Sequence, residues 1–155
     1  MADGRMLNRA ISQSKKMANL STDTSRLLFT WMVPHLDREG RMKGTPSLFW
    51  AQVCPRLTHI TMDQVGAFLK EWHEAGLVLW YEAGDEEMYL QCVGWERQQR
   101  GFRKDREAES RHPSPTPELV RSSSASSSHN GMERNKIERG SGNISDLLEE
   151  VSGYS

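Results

Sequence analysis

Apolar side chains are concentrated in three stretches, each of which begins with a helix signal. The apolar positions are Leu27, Leu28, Trp31 and Val33 in the first stretch, Leu48, Phe49, Trp50 and Val53 in the second, and Val65, Phe68, Leu69 and Trp72 in the third. Thr22 or Ser21 can cap the first helix. Thr45 followed by Pro46 begins the second. Residues 61–64, Thr-Met-Asp-Gln, have the spacing of a capping box. The pattern therefore predicts three helices.

Stop signals separate these helices. Pro34 removes a backbone donor and should kink or end the first helix, and Pro55 stops the second. Gly40 and Gly76 suit the left-handed conformation that often follows a helix. We therefore expect the third helix to end at Gly76.

Two strands are predicted after the third helix, at residues 77–82 and 88–93, joined by the polar turn 83–87. Residues 41–43 are long enough for one small strand only. The order is thus helix, short strand, helix, helix, hairpin, which is typical of a winged helix-turn-helix. The sequence predicts an α+β fold: a small winged-helix domain at residues 21–98, in which three helices carry a β-hairpin wing.

The remaining segments are predicted to lie outside this domain. Residues 1–20 form a basic N-terminal arm with a short strand or helical turn, and residues 99–112 form a basic post-wing segment. Residues 113–142 are rich in Pro and Ser, which predicts a disordered linker. Residues 143–155 read as a short amphipathic peptide that binds a partner. Its apolar positions are Ile144, Leu147, Leu148 and Val151.

The composition agrees with a core restricted to the first hundred residues. Only 36% of residues are hydrophobic, the mean hydropathy is −0.69, and all five Trp precede residue 96. The net charge of −1 gives no attraction of the whole molecule to nucleic acid, so any such attraction must be local. Residues 1–20 hold four Lys/Arg against one acid, and residues 95–106 hold five against two. These two stretches are the candidate basic surfaces.

No catalytic or metal-binding pattern is visible in the sequence. Cys54 and Cys92 are isolated, which is typical of free thiols in a reducing cytosol, and the histidines lack ligand spacing to either cysteine. His35 and Asp37 diverge on a helix, so a helix-exit hydrogen bond is expected there instead of a metal. There is no secretory signal, membrane span, nucleophile motif or phosphate loop. We expect neither an enzyme nor a cofactor, small-molecule substrate or membrane partner.

Several strings resemble the N-terminal winged-helix domain of phage replication-initiation or replisome-organiser proteins of the DnaD-like kind. They are residues 26–35 (RLLFTWMVPH), 37–42 (DREGRM), 76–82 (GLVLWYE), 99–107 (QRGFRKDRE) and 110–111 (SR). The resemblance spans about residues 4 to 113. It implies a DNA-binding or replisome-scaffolding role in phage DNA replication, in the cytoplasm of a bacterial host. Larger members carry a second domain for loading helicase or assembling on DNA, and a Ser-rich tail stands in its place here.

The candidate DNA contacts fall into two groups. At the start of the third helix, Thr61 and Gln64 could reach bases and Arg56 a phosphate. The alternative is that this helix is plain surface. The flanking cations are Arg5, Arg9, Lys15, Lys16, Arg41, Lys43, Arg97, Arg100, Arg103, Lys104 and Arg106. Phe102, between cations, could stack on an exposed base. The alternative is that these are solvated surface charges.

The favoured hypothesis is an accessory protein of phage DNA replication that docks duplex or single-stranded DNA electrostatically. Its C-terminal peptide would recruit another replication protein. One alternative is a transcriptional regulator, which would need a dimer and a symmetric operator. Another is a protein-interaction module that grips a basic host or phage protein without DNA. That module would use the acidic wing, whose carboxylates are Glu82, Asp85, Glu86 and Glu87.

Overall fold

The computed structural model describes residues 3–121, in which α-helices accompany a three-stranded sheet. The helices are α1 (Ala10–Gln13), α2 (Lys15–Ala18), α3 (Asp23–Met32), α4 (Pro46–Val53), α5 (Met62–Glu74) and α6 (Trp95–Gln98); the strands are β1 (Arg41–Lys43), β2 (Val78–Glu82) and β3 (Met88–Cys92). Residues 117–121, at the end of the described part, are helical as well. The mixed α+β class is confirmed. Within residues 3–121, no helix has the length and apolarity that crossing a bilayer requires.

The helix boundaries follow the local signals. Thr22 Oγ1 accepts a hydrogen bond from the Ser25 backbone N–H at 3.1 Å and so caps α3. Thr61 and Gln64 form the reciprocal capping box predicted for α5. At α4, Thr45 occupies the cap position without a side-chain hydrogen bond, and proline begins the helix. A 3-10 turn, Val33–His35, continues from α3 because proline at its second position cannot donate the next α-helical hydrogen bond.

The sheet is antiparallel, with strand order β1-β3-β2. Because side chains alternate along a strand, the sheet has two different faces. Met42, Val78 and Leu90 are fully buried on the inner face, in the core that the helices cover. Tyr81 and Tyr89 are buried in a second, smaller cluster on the outer face. Both faces of the sheet are therefore covered.

The centre of the main core is Trp72, which is 0% exposed. The Phe29 and Phe49 rings lie 5.5 and 5.7 Å from its ring. The indole N–H donates to Ser25 Oγ at 2.9 Å, and the Ser25 hydroxyl donates to Glu71 Oε2 at 2.9 Å. The buried polar atoms of α3 and α5 are thereby hydrogen-bonded, as burial requires.

Trp31, one of the apolar positions of the first predicted helix, lies outside the buried core. Trp31 is 41% exposed and Leu27, one turn before it, is 42% exposed. Helix α3 carries apolar side chains on more than one face, and it buries Leu28, Phe29 and Met32 instead. The apolar pattern alone did not reveal which of these faces the rest of the domain covers.

Segments on either side of residues 21–98 belong to the same fold. In the arm, Met17 and Leu20 are buried in the core, and the Arg26 guanidinium donates to the carbonyls of residues 17, 18 and 20 at 2.7–3.0 Å. Residues 113–120, predicted as linker, belong to the same compact unit as the domain, and Pro115 is buried. The rest of the predicted linker and the C-terminal peptide lie outside the described residues. The domain thus extends beyond both ends of the predicted winged helix.

Replacing Gly40 by Ala should destabilise the fold strongly. Gly40 has φ +74°, and an added Cβ would lie 2.6 Å from Trp95 Cγ. Backbone strain and overpacking together should cost about 3 kcal/mol of unfolding free energy. Gly101→Ala has similar strain but open space, and should cost about 1 kcal/mol. Gly84→Ala has neither and should stay within about 0.5 kcal/mol. Urea unfolding measures all three; equal losses at Gly40 and Gly101 would contradict the Trp95 contact.

Glu71 should make stability depend on acid pH. Its partial burial raises the pKa, but hydrogen bonds from Ser21 and Ser25 outweigh burial and leave the pKa of Glu71 below its usual value. A depressed folded-state pKa stabilises the fold above the unfolded-state pKa, and this contribution is lost as the pH falls through the folded-state pKa. Between about pH 5 and pH 3, the wild-type protein should lose stability more steeply than Glu71→Gln. Parallel slopes in urea unfolding across this range would show that Glu71 contributes nothing.

Candidate nucleic-acid interface

The fold divides the predicted cationic contacts into paired and unpaired side chains. Within residues 3–121, seven exposed cations make no side-chain hydrogen bond or ion pair. They are Arg9, Lys15, Arg56, Arg97, Arg100, Arg106 and Arg111. Six of these were predicted contacts. Arg111 was not among the predicted contacts, although the serine-arginine pair at 110–111 was part of the resemblance.

Arg5 is an internal contact and not a free phosphate ligand. Its side chain is only 2% exposed. The guanidinium makes a bidentate ion pair with Glu107 at 2.8 and 2.7 Å, and its Nε donates to the Leu36 carbonyl at 3.1 Å. We correct the prediction for Arg5, because a buried and fully paired guanidinium cannot reach a phosphate without breaking this pair.

Phe102 is also engaged within the domain. The Arg5 guanidinium carbon lies 4.6 Å from the Phe102 ring centroid and 5.7 Å from the Trp95 ring. This cation-π geometry is favourable, and it occupies the ring that was predicted to stack on a base. The half-buried Phe102 therefore holds the post-wing segment to the arm. We call the group Arg5, Glu107, Phe102 and Trp95 the clasp.

Four further predicted cations have partners in the domain. They are Arg41 (Gln91 Oε1 at 2.7 Å and the His112 carbonyl at 3.2 Å), Lys43 (Glu87 at 3.0 Å), Arg103 (Asp105 at 3.1 Å) and Lys104 (Glu39 at 2.8 Å and Glu96 at 3.5 Å). The hydrogen bond to Glu39 raises the pKa of Lys104. In the post-wing segment, the ion pairs of Arg103 and Lys104 offset two of the positive charges that the sequence count assigned to it.

The arm is attached to the domain next to the end of α6. Met6 and Gln99 exchange two hydrogen bonds, Met6 N to Gln99 Oε1 at 3.3 Å and Gln99 Nε2 to Met6 O at 2.8 Å. Ten residues further on, Lys16 Nζ donates to the Gly76 carbonyl at 3.4 Å. The arm is thus fixed at both ends, one of them next to α6. We call the cations on and between these segments the arm–α6 surface: Arg9, Lys15, Lys16, Arg97 and Arg100.

The N-terminal end of α5, which was predicted to contact bases, lies far from the arm–α6 surface. Helix α5 has 13 residues and is therefore about 20 Å long, and Gly76, the Lys16 partner, follows its opposite end. At the first turn, Gln64 Oε1 accepts the Thr61 backbone N–H at 2.9 Å, so capping occupies one of its polar atoms. Asp63 beside them is exposed and negative. Base contact by Thr61 and Gln64 stays a prediction.

The hairpin turn presents negative charge. The Tyr89 hydroxyl donates to Asp85 Oδ2 at 2.6 Å, which lowers the pKa of Asp85 and, on the donor side, raises the pKa of Tyr89 to about 12. Glu82 and Glu86 are exposed. Because phosphates are repelled by carboxylates, this turn is a poor phosphate contact.

Metal and thiol chemistry find no support in the described part of the chain. Residues 3–121 contain no group of three or more His, Cys, Asp or Glu that could hold a metal ion. Asp37 instead accepts hydrogen bonds from the backbone N–H groups of Glu39 and Arg41, so the predicted helix-exit hydrogen bond is confirmed. Cys54 and Cys92 are buried, and burial raises the pKa of Cys92 to about 12. A thiol of that pKa is protonated near neutral pH and is a poor nucleophile.

Comparison with protein-family models, curated proteins and solved structures found no match. The resemblance to DnaD-like proteins therefore rests on the strings quoted above. The geometry of the cations is independent of it, since that geometry follows from the hydrogen bonds and ion pairs of this chain alone.

Arg5→Ala and Arg9→Ala should separate stability from surface charge. Arg5→Ala leaves Glu107 partly buried without its partner and should cost about 3 kcal/mol of unfolding free energy. Arg9→Ala, in the same arm, removes an exposed side chain and should change it by less than about 0.5 kcal/mol. Urea unfolding of both variants tests the assignment. If both substitutions change the unfolding free energy equally, Arg5 is not an internal contact and is again a candidate for phosphate binding.

Proposed function

We propose that the chain contains a winged-helix domain that binds DNA through its arm–α6 surface. The element order helix, strand, helix, helix, hairpin supports the winged-helix assignment, as does the pairing of β1 with β3. The edge strand β1 completes the sheet as the short first strand of a winged helix does. Helices α4 and α5, with residues 54–61 between them, correspond to the helix-turn-helix pair.

One observation carries the proposal for DNA: four arm–α6 cations are exposed and have no partner in the described domain. These are Arg9, Lys15, Arg97 and Arg100. Phosphate contacts by such side chains release counterions, which favours binding whatever the base sequence. Because the chain as a whole carries a net charge of −1, this local excess would also orient the protein on the strand.

The proposed mode differs from insertion of α5 into the major groove. The Thr61 end of α5 carries the exposed Asp63, and the other end lies beside Lys16. Contact through the arm and α6 is backbone docking, with little base readout. The resemblance to replisome-organiser proteins leads us to propose an accessory role in phage DNA replication, in the bacterial cytoplasm. The peptide with Ile144 and Leu147 would recruit another replication protein.

Titration of labelled duplex and single-stranded DNA between about 50 and 200 mM salt tests the proposal. The double variant Arg97→Ala, Arg100→Ala should bind more weakly and reduce the slope of log K against log salt by about 2 on duplex. The matched control is Arg103→Ala, Lys104→Ala, which removes the same charge from side chains already paired with carboxylates. This control should reduce the slope by less than half of the reduction expected for Arg97→Ala, Arg100→Ala.

Three results would redirect the proposal. Equal slopes for the two double variants would remove the arm–α6 surface as the contact. No salt-dependent binding of any oligonucleotide by the folded chain would favour a protein-interaction module that uses the acidic hairpin turn. A tight dimer with a preference for a symmetric duplex would favour a transcriptional regulator.

A further inference from the structure

The outer face of the sheet is covered by a segment of the chain itself. Residues 109–120, which we call the strap, follow the clasp and contact this face: the His112 ring lies 5.7 Å from the Tyr89 ring, and the Pro113 carbonyl accepts a hydrogen bond from Tyr81. Leu79, Tyr81 and Tyr89 are each 4% exposed there, and Leu119 of the strap contacts their cluster. The sheet alone would leave this aromatic face open to water. The strap is therefore what buries it.

The contact has the chemistry of proline-rich peptide recognition. The Tyr81 hydroxyl donates to the Pro113 carbonyl at 2.6 Å, and Pro115 is buried. The Tyr81 and Tyr89 rings are stacked, with centroids 6.2 Å apart. Proteins that bind proline-rich peptides combine aromatic grooves with hydroxyl donors to backbone carbonyls, because prolines lie flat on rings and leave their carbonyls available. The strap has proline at every second position from 113 to 117.

The first part of the strap lies on the sheet without pairing with its strands. Residues 109–116 have no helix or strand, whereas residues 117–121 are helical. No backbone–backbone hydrogen bond joins residues 109–118 to β1, β2 or β3. Side chains hold it: Ser110 is hydrogen-bonded to Asp37, and Arg41 donates to the His112 carbonyl. A peptide held in this way can be exchanged without breaking the sheet.

We propose that the Tyr81–Tyr89 face is a binding site for a proline-containing peptide of a partner protein, occupied in this structure by the strap. The partner segment would carry a proline at the position of Pro115, which is buried, and a free backbone carbonyl at the position of Pro113, and it would displace the strap. None of the arm–α6 cations belongs to this face, so the site is independent of the proposed DNA contact. Binding of the partner would release residues 109–120.

The test measures binding of a labelled peptide of residues 109–120 to the full-length chain. In the wild type the strap competes at an effective concentration of about 1 mM, so free peptide should bind poorly. Pro115→Glu places a charge where Pro115 is buried and should release the strap. That variant should bind the peptide at least about tenfold more tightly than wild type does, because the competitor is gone.

Two controls tie this gain to the proposed face. Ser114→Glu adds the same charge at the neighbouring exposed residue and should bind as poorly as wild type. Adding Tyr81→Phe to Pro115→Glu removes the hydroxyl that donates to the Pro113 carbonyl and should weaken peptide binding about fivefold. If Pro115→Glu does not fold, Pro115→Gly can be used instead, because it removes the buried ring without adding a charge. It should likewise bind the peptide more tightly than wild type does.

The proposal is overturned if the released chain ignores the peptide, or binds equally a peptide with alanine at all three proline positions. Concentration-dependent dimers of wild-type chain, dissolved by adding free peptide, would show that straps exchange between two copies and would overturn the assignment to a partner protein. Tight peptide binding restricted to the released chain, with proline dependence, supports the site.

Discussion

Burial of one indole organises the helical half of this fold. Trp72 is fully inaccessible, and its N–H must find an acceptor inside the protein. Ser25 supplies that acceptor from α3, and Glu71 in turn accepts the Ser25 hydroxyl and, at 2.5 Å, the Ser21 backbone N–H. A single hydrogen-bonded chain thus joins α5, α3 and the end of the arm. The positions of the arm cations depend on this arrangement.

The clasp shows that a count of charged residues in the sequence does not predict how many cations are free to bind an external anion. Arg5 lies in the basic arm and Glu107 in the post-wing segment, yet they form an ion pair in which the two side chains are only 2% and 19% exposed. Lys104 is similarly paired with Glu39. What is left for an external anion is a smaller group on a different part of the surface, since cations with a fixed internal partner give little further attraction to phosphate.

Local signals in the sequence were sufficient for the three longer helices and the three strands, whereas α6 was not predicted. The capping box at residues 61–64, the glycine stop at Gly76 and the alternation of the two hairpin strands predicted the boundaries of α5, β2 and β3 to within one residue. These signals act between residues at most a few positions apart. The caps and turns could therefore be derived from the sequence alone.

The positions of the candidate site residues depend on contacts between residues that are far apart in the sequence, and no local sequence pattern predicts such contacts. Arg5 and Glu107 are 102 residues apart, and Tyr81 meets the Pro113 carbonyl 32 residues away. The exposure of Trp31 has the same origin, because which face of α3 is covered depends on where the other helices lie. The proline and serine content predicted disorder from residue 113. In the structure, the first part of that segment covers the aromatic face of the sheet, a contact that its composition does not reveal.

The clasp also determines how the domain would respond to tension. It holds residue 5 against residue 107, so a force pulling the arm away from the post-wing segment acts directly on the Arg5–Glu107 ion pair. The antiparallel strands lie inside that attachment and would bear no load until it fails. A pulling force applied at these two segments would therefore detach the arm from the post-wing segment first, while the sheet is still folded.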